Sequence, residues 1–473
     1  MITVWDFLAC EYARQNIPPT LMRATTSCVT YLVGVTVKIA FVNQPIDTII
    51  PPNQNSVGAC TYWVASQLAQ TANVLVYGLK DNHRDPARLA EELGIGFRFF
   101  PATVRDKRLF AVQRRFAKLF PRSAPISTSR WLFPGYGRQV AEDLKDQGCD
   151  VIHLQHCSQY AQQIRALNPK AKIVLHLHSE WFSQSKPHKL GNRLKAIDLI
   201  TTVGDYVTGK TKQSFPGVAD RCETTYNGID PREFPNENDY GASRRRQVKR
   251  ILYSGAVSPH KGLHVLLDAF VIVARQYPNV VLDIIGPVGN YPLQESFDLR
   301  DSKAIQDVAP FYATRWSSLA KQRFTGEKSG KGVYLRYLED RLPDEVAAKV
   351  SFLGMFQRPE LVARYYQSDI FAFAPIWDEG FGLPPVEAMA AGLPVVSSRS
   401  GTLVETVVDG KTGILVEKNN ADELARALLL LLNDDDRREA MGRAGRERAL
   451  RYFTWERIAE GMHTRYLDLC KSA

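Results

Sequence analysis

From Lys38 onward, short continuous apolar runs alternate with longer stretches whose apolar residues recur at helical spacing. Ile39-Ala40-Phe41-Val42 predicts a strand covered on both faces, Gly58 to Gln70 a helix, and Val74-Leu75-Val76-Tyr77 a second strand. The same reading places strands at 95–100, 151–155, 172–177, 198–203 and 222–226, with helices between most of them. Such alternation implies right-handed crossovers and a parallel sheet, so this half is Rossmann-like. After Asn227-Gly228-Ile229-Asp230 the chain turns polar. Glu233 to Arg250 reads as a domain linker in which Arg244-Arg245-Arg246 is solvated surface.

A second alternation follows at 251–253, 263–274, 280–285, 349–353, 359–367, 370–374, 385–391 and 393–397, closing with a helix at about 421–432. The last segment, Trp455 to Leu469, has one apolar stripe through Ile458, Met462, Tyr466 and Leu469, as expected of a helix packed back across the domain boundary. The fold class is therefore α/β, with two Rossmann-like domains facing a cleft. The expected order is an N-terminal extension (1–37), a first domain (38–232), a linker (233–249), a second domain (250–450) and a C-terminal helical segment (451–473). An insert at about 287–348 interrupts the second domain where a short connection would suffice, and structural elaboration is its simplest role.

Length agrees with this division, since 473 residues exceed what one core organises. Apolar content of 45% and charged content of 23% are those of a soluble globular chain. Seven cysteines (10, 28, 60, 149, 157, 222, 470) are scattered without paired spacing. That pattern predicts a reduced cytoplasmic setting, no disulfides and no zinc. No apolar run is long enough to span a bilayer, and Met1 is not followed by a basic start and a cleavable apolar region. The net charge of +10 points to anionic partners. No helix-turn-helix, zinc-finger or RNA-binding signature accompanies it, so nucleic acid is not expected.

The chemistry concentrates in Pro375-Ile376-Trp377-Asp378-Glu379-Gly380-Phe381-Gly382-Leu383-Pro384-Pro385-Val386-Glu387. An apolar strand precedes it, glycines break the regular structure, and Pro385 suits a first helical turn. Glu379 then lies on the loop and Glu387 about one turn into the helix, both at a helix N-terminus. Free N–H groups and the helix dipole favour an anion there, but two carboxylates would repel a bare phosphate. A ligand with an anionic middle and hydroxyl-rich ends answers both, and a nucleotide sugar has that shape. Lys261, in the turn Tyr253-Ser254-Gly255-Ala256-Val257-Ser258-Pro259-His260-Lys261-Gly262, can meet phosphate as a point charge. His176 and His178 point to the same side at the end of a strand, towards the ligand crevice of such a sheet. A two-histidine metal site lacks an obvious third ligand, so the pair is read as hydrogen-bonded. His153, Gln155 and His156 end an earlier strand and are either core or acceptor-side lining. Asp434-Asp435-Asp436 reads as a polar loop and not as a metal triad.

The spacing Glu379 to Glu387 around Gly-Phe-Gly-Leu resembles the glutamate-x7-glutamate motif of retaining glycosyltransferases of family 4 (glycosyl transferase group 1), enzymes of the glycosyltransferase B fold. The resemblance covers nearly everything from Lys38 on. It makes the first domain the acceptor domain and the second the nucleotide-sugar domain. It implies a metal-independent hexosyltransferase with no cofactor, its donor a nucleotide diphosphate sugar and its acceptor a sugar or lipid-linked sugar in glycoconjugate synthesis. Carried over residue by residue, it gives Glu387 to the ribose hydroxyls and Gly380, Phe381, Gly382, Leu383 and Lys261 to the diphosphate. Glu379 goes to the transferred sugar and His178 to its reactive state, as the catalytic pair. Gly255, Lys261 and Gly262 match the family's glycine-arginine-x5-lysine-glycine segment, but Ala256 stands where the arginine is expected. Gly58 matches half of a two-glycine phosphate turn, its neighbour being Val57. The absence of G-x-G-x-x-G at either first turn counts against a dehydrogenase. An epimerase or phosphorylase of the same fold, or a non-catalytic nucleotide-sugar sensor, are the alternatives.

Val104 to Arg122 carries Leu109, Val112, Phe116, Leu119 and Phe120 at helical spacing. Arg105, Lys107, Arg108, Arg114, Arg115, Lys118 and Arg122 stand against one acid, Asp106. A basic amphipathic helix of this kind fits a peripheral contact with the inner face of a membrane, or a helix that covers the core with its apolar stripe.

Overall fold

The computed structural model describes residues 37–51, 54–80, 86–119, 129–183, 187–236, 238–288 and 333–471. The expectations for the extension before Val37, for most of the insert and for Phe120 to Arg122 fall outside those residues.

The apolar runs become strands in two parallel sheets. The first contains β1 (Lys38–Val42), β2 (Asn73–Leu79), β3 (Ile95–Phe100), β4 (Val151–Gln155), β5 (Lys172–Leu177), β6 (Leu199–Thr202) and β7 (Cys222–Thr224), in the order β3-β2-β1-β4-β5-β6-β7. The second contains β8 (Lys249–Ser254), β9 (Val280–Ile285), β10 (Val350–Gly354), β11 (Ile370–Phe373), β12 (Val395–Ser398) and β13 (Gly413–Val416), in the order β10-β9-β8-β11-β12-β13. Each is the doubly wound order, in which the strand sequence reverses beside the first strand and leaves a crevice at the carboxyl ends. The burial explains the run-like sequence: Ile39, Ala40, Phe41 and Val42 are all fully covered because helices lie on both faces. Register is tight, with Ala40 paired to Leu75 on one side and Ile152 on the other.

The stretch read as a linker is more ordered than its polarity suggests. Tyr240–Arg245 is a helix capped by Asp239, whose side chain accepts from the Ala242 N–H at 2.8 Å. Arg244 reaches Asp436 at 2.6 Å and Glu439 at 2.8 Å, and Arg246 reaches the buried Asp369 at 3.0 Å. Two of the three arginines read as solvated surface are therefore anchors between the connector and the second domain. Asp434 likewise caps the helix Asp435–Tyr452, accepting from the Arg437 N–H at 2.9 Å, so the aspartate run is a helix start and not a loop.

The helix Trp455–Lys471 crosses back to the first domain and packs on the helix Ser56–Leu68. Its entry is pinned by main-chain bonds on either side of Thr454. The Ile229 N–H donates to the Phe453 carbonyl at 2.7 Å, and the Trp455 N–H to the Ile229 carbonyl at 3.0 Å. Further along, the Tyr466 hydroxyl lies 2.6 Å from His153 Nδ1 in the core.

The basic helix Val104–Leu119 is rotated relative to its apolar stripe. Asp106 is fully buried and accepts from the N–H groups of Thr103 (3.0 Å), Gly135 (2.8 Å) and Tyr136 (3.1 Å), which fixes that face inward. Phe110, one turn on, packs on Phe133 with ring centres 5.1 Å apart. Val112 and Phe116 consequently point outward, 63% and 53% exposed, among the exposed Arg105, Lys107, Arg108, Arg114 and Arg115. The one acid of the segment is spent inside, so its described outer face is cationic and apolar together.

Candidate active site

The second sheet supplies one wall of the interdomain crevice. β8 ends at Ser254, and its turn carries Gly255 and Ala256 to the short helix Pro259–Lys261. β11 ends at Phe373, and its loop carries Glu379, Gly380 and Phe381 to Gly382, which caps the helix Leu383–Ala390. These adjacent strands flank the point where strand order reverses. Their turns therefore bring Lys261 Nζ to 2.6 Å from Glu379 Oε2, in a pair whose side chains are only 16% and 11% exposed. Trp377 holds the arrangement from both sides: its indole N–H donates to Glu379 Oε2 at 3.0 Å, and its ring lies 4.8 Å from the Lys261 ammonium. The Glu379 main chain is clamped too, its N–H meeting Ser400 Oγ at 3.1 Å and its carbonyl accepting from the Thr402 N–H at 3.0 Å.

Glu387 lies one turn into the helix. Its Oε1 is 2.5 Å from Arg358 Nη1 and its Oε2 accepts from the Tyr365 hydroxyl at 2.9 Å. Arg358 is shared with Glu233, through Nη2 at 2.6 Å and Nε at 2.9 Å. Pro384 and Pro385 occupy the second and third helical positions and bring no N–H. Anion-binding capacity at this terminus is thus shifted to the N–H groups ahead of the two prolines, from Gly380 to Leu383.

The first sheet supplies the facing wall through β4 and β5. His178 Nε2 is 2.7 Å from Gln155 Oε1, and the His178 main-chain N–H donates to His156 Nε2 at 3.0 Å. His156 takes a positive φ of 57° and stacks on Trp181 with ring centres 5.8 Å apart. His176 is buried with Nδ1 2.7 Å from Thr201 Oγ1, and its ring stands 4.6 Å from that of His178. Burial holds the His178 imidazole well below its ordinary pKa, and the neighbouring His176, His156 and His153 push it the same way. His178 is therefore neutral at physiological pH. His153 belongs to the core, while Gln155 and His156 orient His178.

The two walls touch. A Cβ built on Gly380 would overlap the His178 carbonyl oxygen, so only glycine allows this approach. The Glu405 carboxylate accepts from the Asp205 and Tyr206 N–H groups, each at 2.7 Å, capping the helix Asp205–Ser214 of the opposite domain. The Tyr226 hydroxyl adds a bond to Glu405 at 3.1 Å.

The structure thus groups Gly255, Lys261, Glu379, Gly380, Phe381, Gly382, Leu383 and Glu387 on one wall and brings His178 to them. Gly58 has a different explanation from close phosphate approach: it is the third residue of its helix, its N–H is taken by Asn55 Oδ1 at 2.8 Å, and a Cβ there would overlap the Thr48 carbonyl. The histidine pair also has the third metal-ligating neighbour that sequence inspection did not find, since Cys60, His176 and His178 offer atoms within 4.8 Å of one another. Trp377, Arg358 and Glu405 were not singled out either. Trp377 sits within the motif, two residues from Glu379, whereas Arg358 and Glu405 are far from their partners along the chain.

Residues 74–233 match the family profile described as Glycosyltransferase Family 4, and residues 320–448 that of Glycosyl transferases group 1. Among curated relatives, the chain is 25% identical over 344 residues to spore coat protein SA of Bacillus subtilis, covering 70% of this chain and 81% of that protein. It is 31% identical over 225 residues to a D-inositol 3-phosphate glycosyltransferase of Corynebacterium urealyticum, covering 47% and 43%. In three dimensions it is similar to Anabaena HepE solved with UDP and glucose, with a TM-score of 0.62 at 19% identity over 91% of this chain and 100% of that one. It is also similar to an Escherichia coli protein described as trehalose-6-phosphate bound with UDP-2-fluoro glucose, with a TM-score of 0.64 at 16% identity over 92% and 99%.

Proposed function

The chain belongs to the group 1 glycosyltransferases and is a glycosyltransferase of the B fold; from that premise we propose that it moves a hexose, with retention, from a nucleotide diphosphate sugar to a hydroxyl acceptor. The observation that carries this reading is the meeting of Lys261, Glu379 and the Gly380–Leu383 loop with His178, delivered from the carboxyl ends of two separate sheets. Lys261 and the loop amides stabilise the charge that develops on the departing diphosphate, a task other transferases give to a divalent metal. Bound diphosphate competes for Lys261, which frees Glu379 to accept from sugar hydroxyls while Trp377 keeps it in place. Neutral His178, aligned by Gln155 and His156, stabilises the sugar's reactive state from the other side. Glu387 takes the ribose hydroxyls. Arg358 is already held by two carboxylates, so it positions Glu387 and does not replace the cation missing at Ala256.

The exposed cationic and apolar face of Val104–Leu119 supports a peripheral, cytoplasmic-side membrane contact and hence a lipid-linked or membrane-embedded acceptor. Among the described residues no helix is long and apolar enough to cross a membrane. The deciding experiment is donor turnover, with and without acceptors, across uridine, guanosine and adenosine diphosphate sugars. At least one donor is expected to turn over, and Glu379→Ala is expected to slow it on the order of 10²-fold or more. Silence of the wild type with every donor would sink the enzyme assignment of this site in favour of a nucleotide-sugar sensor.

A further inference from the structure

At the facing wall His178 stands beside two side chains, Cys60 and His176, that sugar transfer does not use. Cys60, in the helix Ser56–Leu68, is 4% exposed, and its thiol meets only an amide oxygen, Asn227 Oδ1 at 3.3 Å, among the bonds formed by described residues. His176 is 2% exposed, and its ring stands 4.6 Å from that of the half-buried His178. One ligand atom from each lies within 4.8 Å of the other two. Each imidazole also has one ring nitrogen engaged by a side-chain oxygen, Thr201 Oγ1 for His176 and Gln155 Oε1 for His178, both at 2.7 Å. Such outer bonds are what fix the tautomer and orientation of metal-bound histidines.

We propose that Cys60, His176 and His178 form a binding site for a thiophilic divalent cation of the zinc class, and that its occupancy holds the enzyme inactive. One thiolate and two imidazoles suit zinc and leave a fourth position for water. Bonds of about 2.0–2.3 Å place tetrahedral ligand atoms about 3.5 Å apart, so the three side chains close by roughly an ångström as the ion enters from the cleft past His178. The thiol proton leaves to solvent on coordination, and the bound cation offsets the burial of the thiolate. His178 engaged by metal is turned from the donor. This inhibitory half rests on the transferase reading of His178, whereas the coordination does not.

The test uses the full chain stripped of metal and titrated with Co²⁺, then with Zn²⁺. One equivalent of Co²⁺ is expected to give a thiolate-to-cobalt charge-transfer band with the intense visible absorption of a tetrahedral ion, both removed by one equivalent of Zn²⁺. Cys60→Ser should lose the charge-transfer band, keep wild-type transfer activity, and need at least tenfold more Zn²⁺ for half-inhibition. His176→Gln, checked for folding by far-ultraviolet circular dichroism, should weaken Co²⁺ binding at least tenfold and thereby tests the site independently of the cysteine. No charge-transfer band in the wild type, or an undiminished one in folded Cys60→Ser, overturns the site. A wild-type protein that binds Co²⁺ as described yet transfers no sugar in its metal-free form would leave the site standing and refute the transferase reading instead.

Discussion

At the scale of single residues, the site is built from groups that restrain one another. Lys261 and Glu379 neutralise each other beside Trp377, so removing either leaves its partner as a poorly solvated charge. Gly380 is the more telling position because its role is purely spatial. Gly380→Ala must push the loop away from the His178 carbonyl, and it is expected to lower kcat/KM at least tenfold. The thermal midpoint should move by only a few degrees, because the first sheet keeps a core cluster of its own and only Val203, Val207 and Ile229 of the first domain join the buried core of the second. A large fall in midpoint would show that Gly380 serves stability and not approach. Glu379, Gly380 and Glu387 were legible because their chemistry is local, within nine consecutive residues of one strand–loop–helix. Arg358 and Cys60 were not, because their partners lie far off in sequence and nothing in their immediate neighbours marks them.

At the scale of elements, continuous apolar runs identified strands well, since a sheet covered on both faces needs no alternation. The short Tyr240–Arg245 helix was missed because its amphipathic signal is slight and its position depends on ion pairs to Asp369, Asp436 and Glu439. The basic helix is the instructive intermediate case: periodicity located it, but the buried Asp106 decides which face looks out. If that outer face meets lipid, replacing Arg114 and Arg115 by alanine should weaken binding to anionic vesicles in co-sedimentation about 30-fold, at about 1 kcal/mol per charge. Unchanged sedimentation would leave the face as solvated surface. The terminal helix gives a second check. Tyr466→Phe removes the hydroxyl beside His153 Nδ1, and His153 Nε2 already lacks a partner among the described residues. The expected cost is about 1–2 kcal/mol in urea unfolding with the m-value unchanged. An unaltered midpoint would mean that water replaces the bond.

For the whole molecule, the two-domain plan was readable from one repeated alternation, whereas the closed contact between the walls was not. The latch of Glu405 on Asp205 and Tyr206 and the fit of Gly380 on His178 join residues about 200 positions apart. The second domain also buries titratable groups of its own. Burial lowers His264 to about 4, and burial followed by the nearby Lys261 keeps His260 well below its ordinary value. In the unfolded chain both take up a proton near pH 6.5, while in the folded protein they resist it. Stability is therefore full above about pH 6.5 and lost as pH falls from there towards 4, by up to about 1.4 kcal/mol per pH unit for each group. Urea midpoints from pH 7.5 to 4.5 in metal-free buffer should show this decline, with a shallower slope in His264→Gln. Equal slopes would exclude His264 as a contributor.

The return of Trp455–Lys471 to the helix Ser56–Leu68 has a consequence for how the protein is made. The first sheet is complete once Thr224 has left the ribosome, yet the helix that covers part of it follows only after all the strands of the second sheet. At about 5–20 residues per second, the roughly 250 residues between them take tens of seconds. Throughout that interval the nascent first domain presents the helix Ser56–Leu68 without its covering partner, a natural target for a chaperone and a hazard for any shortened transcript.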